Sequence, residues 1–435
     1  MGRPAELKPQ GMATYYHCHP TDFARINGET AWDIFFSRVS KDVFMQIDLG
    51  HMGTAGIDQI AEMKKFPGRA KTVHIKPANG GDGRLVGDPN DGNLLWRTFT
   101  VPGNPADGFE SKAMEMAAKT WAGEWWKQGG GGSMWDGMAY DRDENLLYVG
   151  TGNGATWSAD VRNGGRREKL LDNLYVASII AINADNGQLK WHYQTTPGDE
   201  WDYDAIQHLL LADVRINNRN RKVIMQANKN GYFYVLDRTN GEFISASEMS
   251  QVSWATGVDP KTGRPNVHPD ALYSDERGTT VYPVQMHNTW QMSFNPNTGL
   301  IYVPIAVENT FSFVASESYA PTPGSQNFGL NLAGARGGIP MKTPPPHGPE
   351  RKNADGSKVR GGILTAWDPA TQKERWFALG GGQSGGGALS LASNVVIQTL
   401  GTGRLKAFTA DKGEPLLDIA LPVSSGVNND DLAEL

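Results

Sequence analysis

Cysteine is almost missing: in 435 residues there is only Cys18. A lone thiol excludes an intramolecular disulfide framework and a CxxCH haem-attachment site. Long apolar runs are lacking too, so no segment reads as a membrane-spanning helix. Nor is there an excess of basic charge. Asp and Glu number 47 against 41 Lys and Arg, a net charge of −6, which argues against a nucleic-acid partner, whose phosphates need a basic face. Apolar residues make up only 39% of the chain. The opening MGRPAELKPQGMATYY has no apolar h-region, so no secretory signal is expected there.

What is present is turn-forming and aromatic: 52 Gly, 25 Pro, 13 Trp and 13 Tyr, the mark of many short strands joined by tight turns. The length allows two domains. Residues 12–76 alternate strand and helix. MATYYHCHP, VFMQIDLGH and KTVHIKP read as strands, ETAWDIFFSRV and DQIAEMKKF as helices. Such alternation with short connections indicates parallel βαβ units. After 79–92 the texture changes. Helical periodicity fades, except in ESKAMEMAAKTWAGEWW (110–126), which suits a short helix.

A loose repeat then appears: an apolar strand, an Asp, a turn with Gly or Asn, and an aromatic. It reads GDPNDGNLLWRTF (87–99), AINADNGQLKWHY (181–193), YVLDRTNGEFIS (234–245), TAWDPATQKERWF (365–377) and AFTADKGEPLLD (407–418), with MAYDRDENLLYVG and SFNPNTGLIYVP as related units. One copy would be an ordinary hairpin. Recurrence at roughly 40–50 residues is the signature of a β-propeller with four-stranded blades.

Long segments carry a resemblance. FESKAMEMAAKTWAGEWWKQGGGGSMWDGMAYD, LLYVGTGNGATWSADVR, LKWHYQTTPGDEWDYDA, NKNGYFYVLDRTNGEFISA and HNTWQMSFNPNTGLIYVP make residues 87–435 similar to the pyrroloquinoline-quinone (PQQ)-dependent, or quinoprotein, alcohol dehydrogenases. The resemblance implies a mainly β fold, part of an eight-bladed propeller, and oxidation of a primary alcohol to an aldehyde. It also implies a periplasmic setting and a cytochrome c or quinone as electron acceptor.

Carried over residue by residue, it makes Asn153 of GTGN an amide-oxygen ligand of the active-site metal, and Asp202 of DEWDYDA the catalytic carboxylate and a metal ligand. Asp199 and Glu200 read as solvated loop acids. Asp204 matches an extra carboxylate associated with lanthanide-using members, or equally a surface acid, so the cofactors implied are PQQ with Ca2+ or a lanthanide ion. Trp135 matches the indole facing the quinone and Ser133 a hydroxyl near it. Lys229 matches a basic residue on the quinone oxygens. Asn288 matches a further cofactor contact, although the Trp that follows it in the family is here Thr289, with Trp290 one place later. Asn153 alone would read as a turn residue, and Trp135 as one of many packing aromatics.

Departures from the pattern are specific. KPANGGDGRLVG (76–87) contains no Glu where the family has its first metal ligand, and the family's adjacent cysteines are absent. Five or six blades are counted where eight are implied. Residues 1–86 resemble instead a fragment of the sugar phosphate isomerase/epimerase family of TIM barrels, carried by YHCHPTDF, IDLGH and VHIKP. That resemblance makes Asp48 and His74 divalent-metal ligands and His51 a substrate-site residue, with His17 and His19 at a neighbouring strand end. The expected organisation is therefore an α/β fragment (1–86) fused to an incomplete propeller (87–435). Isomerase chemistry in the first part, or a non-catalytic binding scaffold in the second, are the alternative functions.

Overall fold

The structure, a computed structural model, describes residues 14–74, 84–87, 94–165, 170–317, 319–320, 328–381 and 385–421. The chain divides into two compact units, Met1–Phe99 and Thr100–Leu435. Most of the expected junction at 79–92 lies outside the described residues.

In the first unit three parallel strands, β1 (Thr14–His17), β2 (Val43–Asp48) and β3 (Ala70–His74), pair in that order. Helix α1 (Ala31–Arg38) follows the Thr30 hydroxyl, which accepts from Asp33 N, and buries Trp32 and Phe36. These rings pack with Phe23, Val43, Met45 and Ile47 into the unit's core. The second connection is two short helices, α2 (Leu49–Thr54) and α3 (Gln59–Lys65). The strand expected over VFMQIDLGH therefore stops at Asp48. The reason is local: the Asp48 carboxylate accepts from His51 N at 2.7 Å and starts α2. A separate hairpin, Arg84–Gly87 with Leu94–Thr98, completes the described part of this unit.

The second unit opens with a helix, α4 (Lys112–Ala118), inside the segment expected to hold one. Four antiparallel four-stranded sheets follow. The first is β4 (Met138–Asp141), β5 (Leu146–Gly150), β6 (Ser178–Asn183) and β7 (Leu189–Gln194). The second is β8 (Leu210–Ile216), β9 (Arg219–Ala227), β10 (Tyr232–Asp237) and β11 (Phe243–Glu248). The third is β12 (Ser293–Asn295), β13 (Leu300–Val307), β14 (Gly361–Asp368) and β15 (Lys373–Leu379), and the fourth β16 (Gly385–Leu391), β17 (Val395–Leu400), β18 (Arg404–Thr409) and β19 (Pro415–Ala420). These are propeller blades. Their inner strands, such as β10 and β13, are almost wholly apolar and buried on both faces.

Each sequence repeat after residue 99 is a hairpin of one blade. Asp or Asn at the strand end folds its side chain back onto the turn: Asn183 Oδ1 accepts from Asp185 N and Asn186 N, Asp237 Oδ1 from Thr239 N, and Asp368 Oδ1 from Ala370 N and Thr371 N. The residue that closes the turn has positive φ, at Gly187, Gly241, Gln372 and Gly413. Four residues further on stand Trp191, Ser245, Trp376 and Leu417.

This spacing makes the joints between blades. The Trp191 ring covers Gly241 of the next blade so closely that a Cβ there would lie 2.6 Å from it, and Trp376 covers Gly413 at 2.5 Å. At the middle joint Ser245 takes the place of the indole and Gln372 that of the glycine, and Gln372 Nε2 donates to Ser245 Oγ at 2.8 Å. Tyr148 Oη donating to Arg238 O at 2.8 Å, and Tyr302 Oη to Ala410 O at 2.9 Å, tie the same blades together.

Candidate active site

The candidate residues lie where loops leave the first two blades. Gly129, Gly130, Gly131 and Gly132 all have positive φ, a run that only glycine adopts without strain. It lets Gly131 bridge to Gly154 so closely that a Cβ on Gly131 would collide with the Asn153 carbonyl. Gly132 N then donates to Asn153 O at 2.9 Å, and Gly152 N to Ser133 O at 2.8 Å. The loop carrying Ser133 and Trp135 is thereby laid against Gly152–Asn153. Gly152 is also a point of close approach, since a Cβ there would sit 3.0 Å from Asp204 Oδ1 and 3.3 Å from Trp135 Nε1.

Asp202 and Asp204 come from the link between the first and second blades. Ala205 N donates to Thr151 O at 2.9 Å, which fastens that link beside the end of β5. Asp202 is left-handed, with φ 65°. Lys229 follows β9 and is buried; its Nζ donates to Asp202 Oδ2 at 2.7 Å and to Asp204 Oδ2 at 2.9 Å. Asp204 Oδ1 accepts from Asn153 N at 2.9 Å. Trp135, Asn153, Asp204, Lys229 and Asp202 thus form one continuous cluster drawn from two blades and their link. Asn153 Nδ2 bonds Gly154 O at 3.0 Å.

Ser133 is exposed and joins through its backbone. Among the described residues no hydrogen bond joins the Asn288 side chain to the cluster. Its Nδ2 donates to Gln285 Oε1 at 3.2 Å, and its Oδ1 is buried with no partner among the described residues. Its segment is tied to Lys229 by Met286 N, which donates to Lys229 O at 3.0 Å.

Electrostatics follow from burial. Desolvation, then the charge of Asp204, push the Asp202 carboxyl up to about 7 against the pull of Lys229. Burial draws the Lys229 ammonium down, but the two carboxylates outweigh it and hold the group above its ordinary value. Two acids and one ammonium leave one uncompensated negative charge when all are ionised.

Asp199 and Glu200 correct the expectation of solvated loop acids, for both are buried. Asp199 Oδ1 accepts from Trp201 N at 3.1 Å and Tyr203 N at 3.0 Å. Glu200 accepts from Ala159 N at 3.3 Å and Tyr273 N at 3.2 Å. Desolvation lifts Asp199 to about 6 and Glu200 to about 8. Between them lies the buried Arg162, whose guanidinium donates to Asp199 O at 2.6 Å and Asn173 Oδ1 at 3.1 Å. A cavity of about 240 Å³ beside Glu200 is bordered by Asp160, Tyr273, Arg277 and Lys342, and by none of the cluster residues.

Comparison with known proteins agrees with this architecture. Residues 87–262 match the family model described as "PQQ: Glucose/ethanol/alcohol dehydrogenase, beta-propeller domain". The chain is 44% identical over 337 residues to quinohemoprotein alcohol dehydrogenase ADH IIB of Pseudomonas putida, covering 76% of this chain and 45% of that protein. It is 42% identical over 352 residues to the quinohemoprotein alcohol dehydrogenase of Comamonas testosteroni, covering 78% and 46%. The solved structure of the Comamonas testosteroni protein superposes with a TM-score of 0.66 over 78% of this chain and 49% of the other. A europium-containing methanol dehydrogenase, 26% identical, superposes with a TM-score of 0.64 over 77% and 56%. The chain spans about half the length of the curated relatives it matches.

Proposed function

Since this chain belongs to the PQQ-dependent quinoprotein alcohol dehydrogenase family, we propose that its β unit oxidises a primary alcohol to an aldehyde, with Asp202 as the base. The observation that carries the reading is Lys229 bonded to both Asp202 and Asp204 beside Asn153. The Asn153 amide oxygen and the two carboxylates are hard donors suited to an oxygen-seeking cation. The flat ring of Trp135 beside them suits a planar cofactor, and the unpartnered Asn288 Oδ1 is a buried acceptor that a ligand donor would satisfy.

When bound, the quinone supplies the two-electron acceptor and the ion a Lewis acid. The chain supplies proton handling. Asp202 takes the hydroxyl proton of the alcohol; Lys229, and a cation bound beside it, would both favour the ionised carboxylate that a base must present. Lys229, 2.7 Å away, orients that carboxylate and opposes its protonation. Asp204, buried and also on Lys229, adds a carboxylate that favours a trivalent ion over calcium. The family also supports a periplasmic setting and delivery of the electrons to a cytochrome c or quinone.

The test is titration of wild type and Asp204→Ala with lanthanum(III) and with calcium, followed by quinone absorbance. Loss of Asp204 should weaken lanthanum-supported quinone uptake at least tenfold and calcium-supported uptake much less. Equal lanthanum dependence in the two proteins would make Asp204 a bystander. Asp202→Asn should keep quinone uptake and lower turnover by about 10²–10⁴-fold.

A further inference from the structure

We propose that Asp199 and Arg162 are positioning residues for the alcohol oxidation, which together fix the spacing of Asn153 and Asp202 across the candidate active site. The inference rests on the reading of Asp202 as the base and of Asn153 as a metal ligand. It starts from a backbone conformation that an aspartate resists. Asp202 is left-handed, with φ 65°, a region that a residue with a Cβ occupies only where its surroundings hold it there.

Asp199 does the holding. Its carboxylate is buried, and Oδ1 accepts from Trp201 N at 3.1 Å and from Tyr203 N at 3.0 Å. These are the amides of the residues before and after Asp202, so one oxygen pins the turn on both sides of the strained position. The neighbouring side chains are tied down as well. Trp201 Nε1 donates to Ala271 O at 2.9 Å and Tyr203 Oη to Pro283 O at 2.6 Å, and both rings are buried. The flanking rings are thus held in the core, while the Asp202 carboxylate between them reaches Lys229 Nζ at 2.7 Å.

Arg162 carries this order across to Asn153. It is buried, and Nη2 donates to Asp199 O at 2.6 Å while Nη1 donates to Trp157 O at 3.0 Å and also to Thr156 O. The guanidinium lies so close to Gly154 that a Cβ there would collide with it, and the Gly154 carbonyl in turn accepts from Asn153 Nδ2. One planar fork with fixed donor directions therefore joins the loop that carries Asn153 to the turn that carries Asp202. A cation present only to balance charge would aim its donors at carboxylates. Those of Arg162 go to three carbonyls and to Asn173 Oδ1. Neither residue bonds the Asp202 carboxylate or the Asn153 amide, so each acts through the backbone.

The test is terbium(III) titration of the full chain, read by luminescence, together with kcat and KM of the quinone-loaded protein. Asp199→Ala should weaken terbium binding about tenfold, as loss of an outer-shell partner does. It should lower kcat about 10²-fold, the cost of misplacing a group by about 1 Å, with KM little changed. Asp199→Asn keeps the accepting oxygen and should recover most of both. Where Asp199→Ala does not fold, Asp199→Ser, whose short hydroxyl bonds the following backbone more weakly, should show an intermediate loss. Arg162→Lys keeps the charge without the fork and should weaken terbium binding to a similar extent. Added to Asp202→Asn, Asp199→Ala should lower kcat no further, because no base is left to place. Wild-type terbium affinity in Asp199→Ala or Arg162→Lys, an Asn variant as poor as the Ala one, or a loss fully additive with Asp202→Asn would each overturn the proposal. Undiminished kcat in Asp202→Asn would overturn the base reading instead, and the terbium affinities would then decide the positioning by themselves.

Discussion

Lys229 is a single cation shared by two carboxylates, and its removal should expose what that sharing is worth. In Lys229→Met, Asp204 stays buried with no counter-charge on its Oδ2. Breaking a buried pair from one side costs about 3–5 kcal/mol, and the urea midpoint should fall accordingly. Lanthanum(III) should restore much of the loss, because it places positive charge where the ammonium was. A loss below about 1 kcal/mol would show that the cluster is solvated after all. His287 gives the pH signature. Wholly buried, with Nδ1 on Pro304 O at 2.7 Å, it is pushed down to about 4 by desolvation. An unfolded histidine titrates near 6.5, so between those values the unfolded chain holds the extra proton. Stability should therefore be full above about pH 6.5 and decline by up to about 3 kcal/mol as pH falls toward 4. His287→Gln should flatten that part of the stability–pH curve, and an unchanged curve would contradict the assignment. Asp199 and Glu200 show where residue-level reading ran out. In the sequence they are two acids in a polar loop, and what buries them, Arg162 and Tyr273, lies far along the chain.

Elements were legible wherever their cause was local. The hairpins announced themselves because an Asp or Asn, a residue of positive φ and an aromatic all fall within a few positions. Helix α2 was hidden because LGHMGT has little helical pattern of its own, and the Asp48 cap that starts it looked like the tip of a strand. The partner of each aromatic was equally hidden, since it belongs to the following blade. Gly413→Ala should measure that contact. It combines a φ of 72° with a methyl 2.5 Å from the Trp376 ring, and should cost about 2–4 kcal/mol. Gly299→Ala has φ 69° and open space around it, and should cost only about 1–2 kcal/mol, the backbone share alone. Equal losses in the two variants would mean that the indole yields freely.

At the scale of the whole molecule the chain is two compact units, each with its own core. Units with separate cores generally do not melt as one. Calorimetry should resolve two transitions, and Trp32→Ala, which opens a cavity in the first core, should lower only one of them. A single transition that Trp32→Ala shifts as a whole would contradict independent cores. The change of texture at 79–92 falls within the first compact unit, which runs to Phe99. The hairpin between those points pairs only with itself among the described strands.

The joints bear on how such a chain can be recombined. In the second and third blades the turn residue faces backward and the residue four places later faces forward, as Gly241 meets Trp191 while Ser245 meets Gln372. A crossover between two related genes that falls between blades separates an indole from its glycine, or a serine from its glutamine. One that falls between Gly241 and Ser245 leaves both pairs with the parent that shaped them. The unit of exchange is therefore offset from the blade by half a hairpin. A chimaera cut inside the turn should fold where one cut at the visible boundary sets an indole against a glutamine.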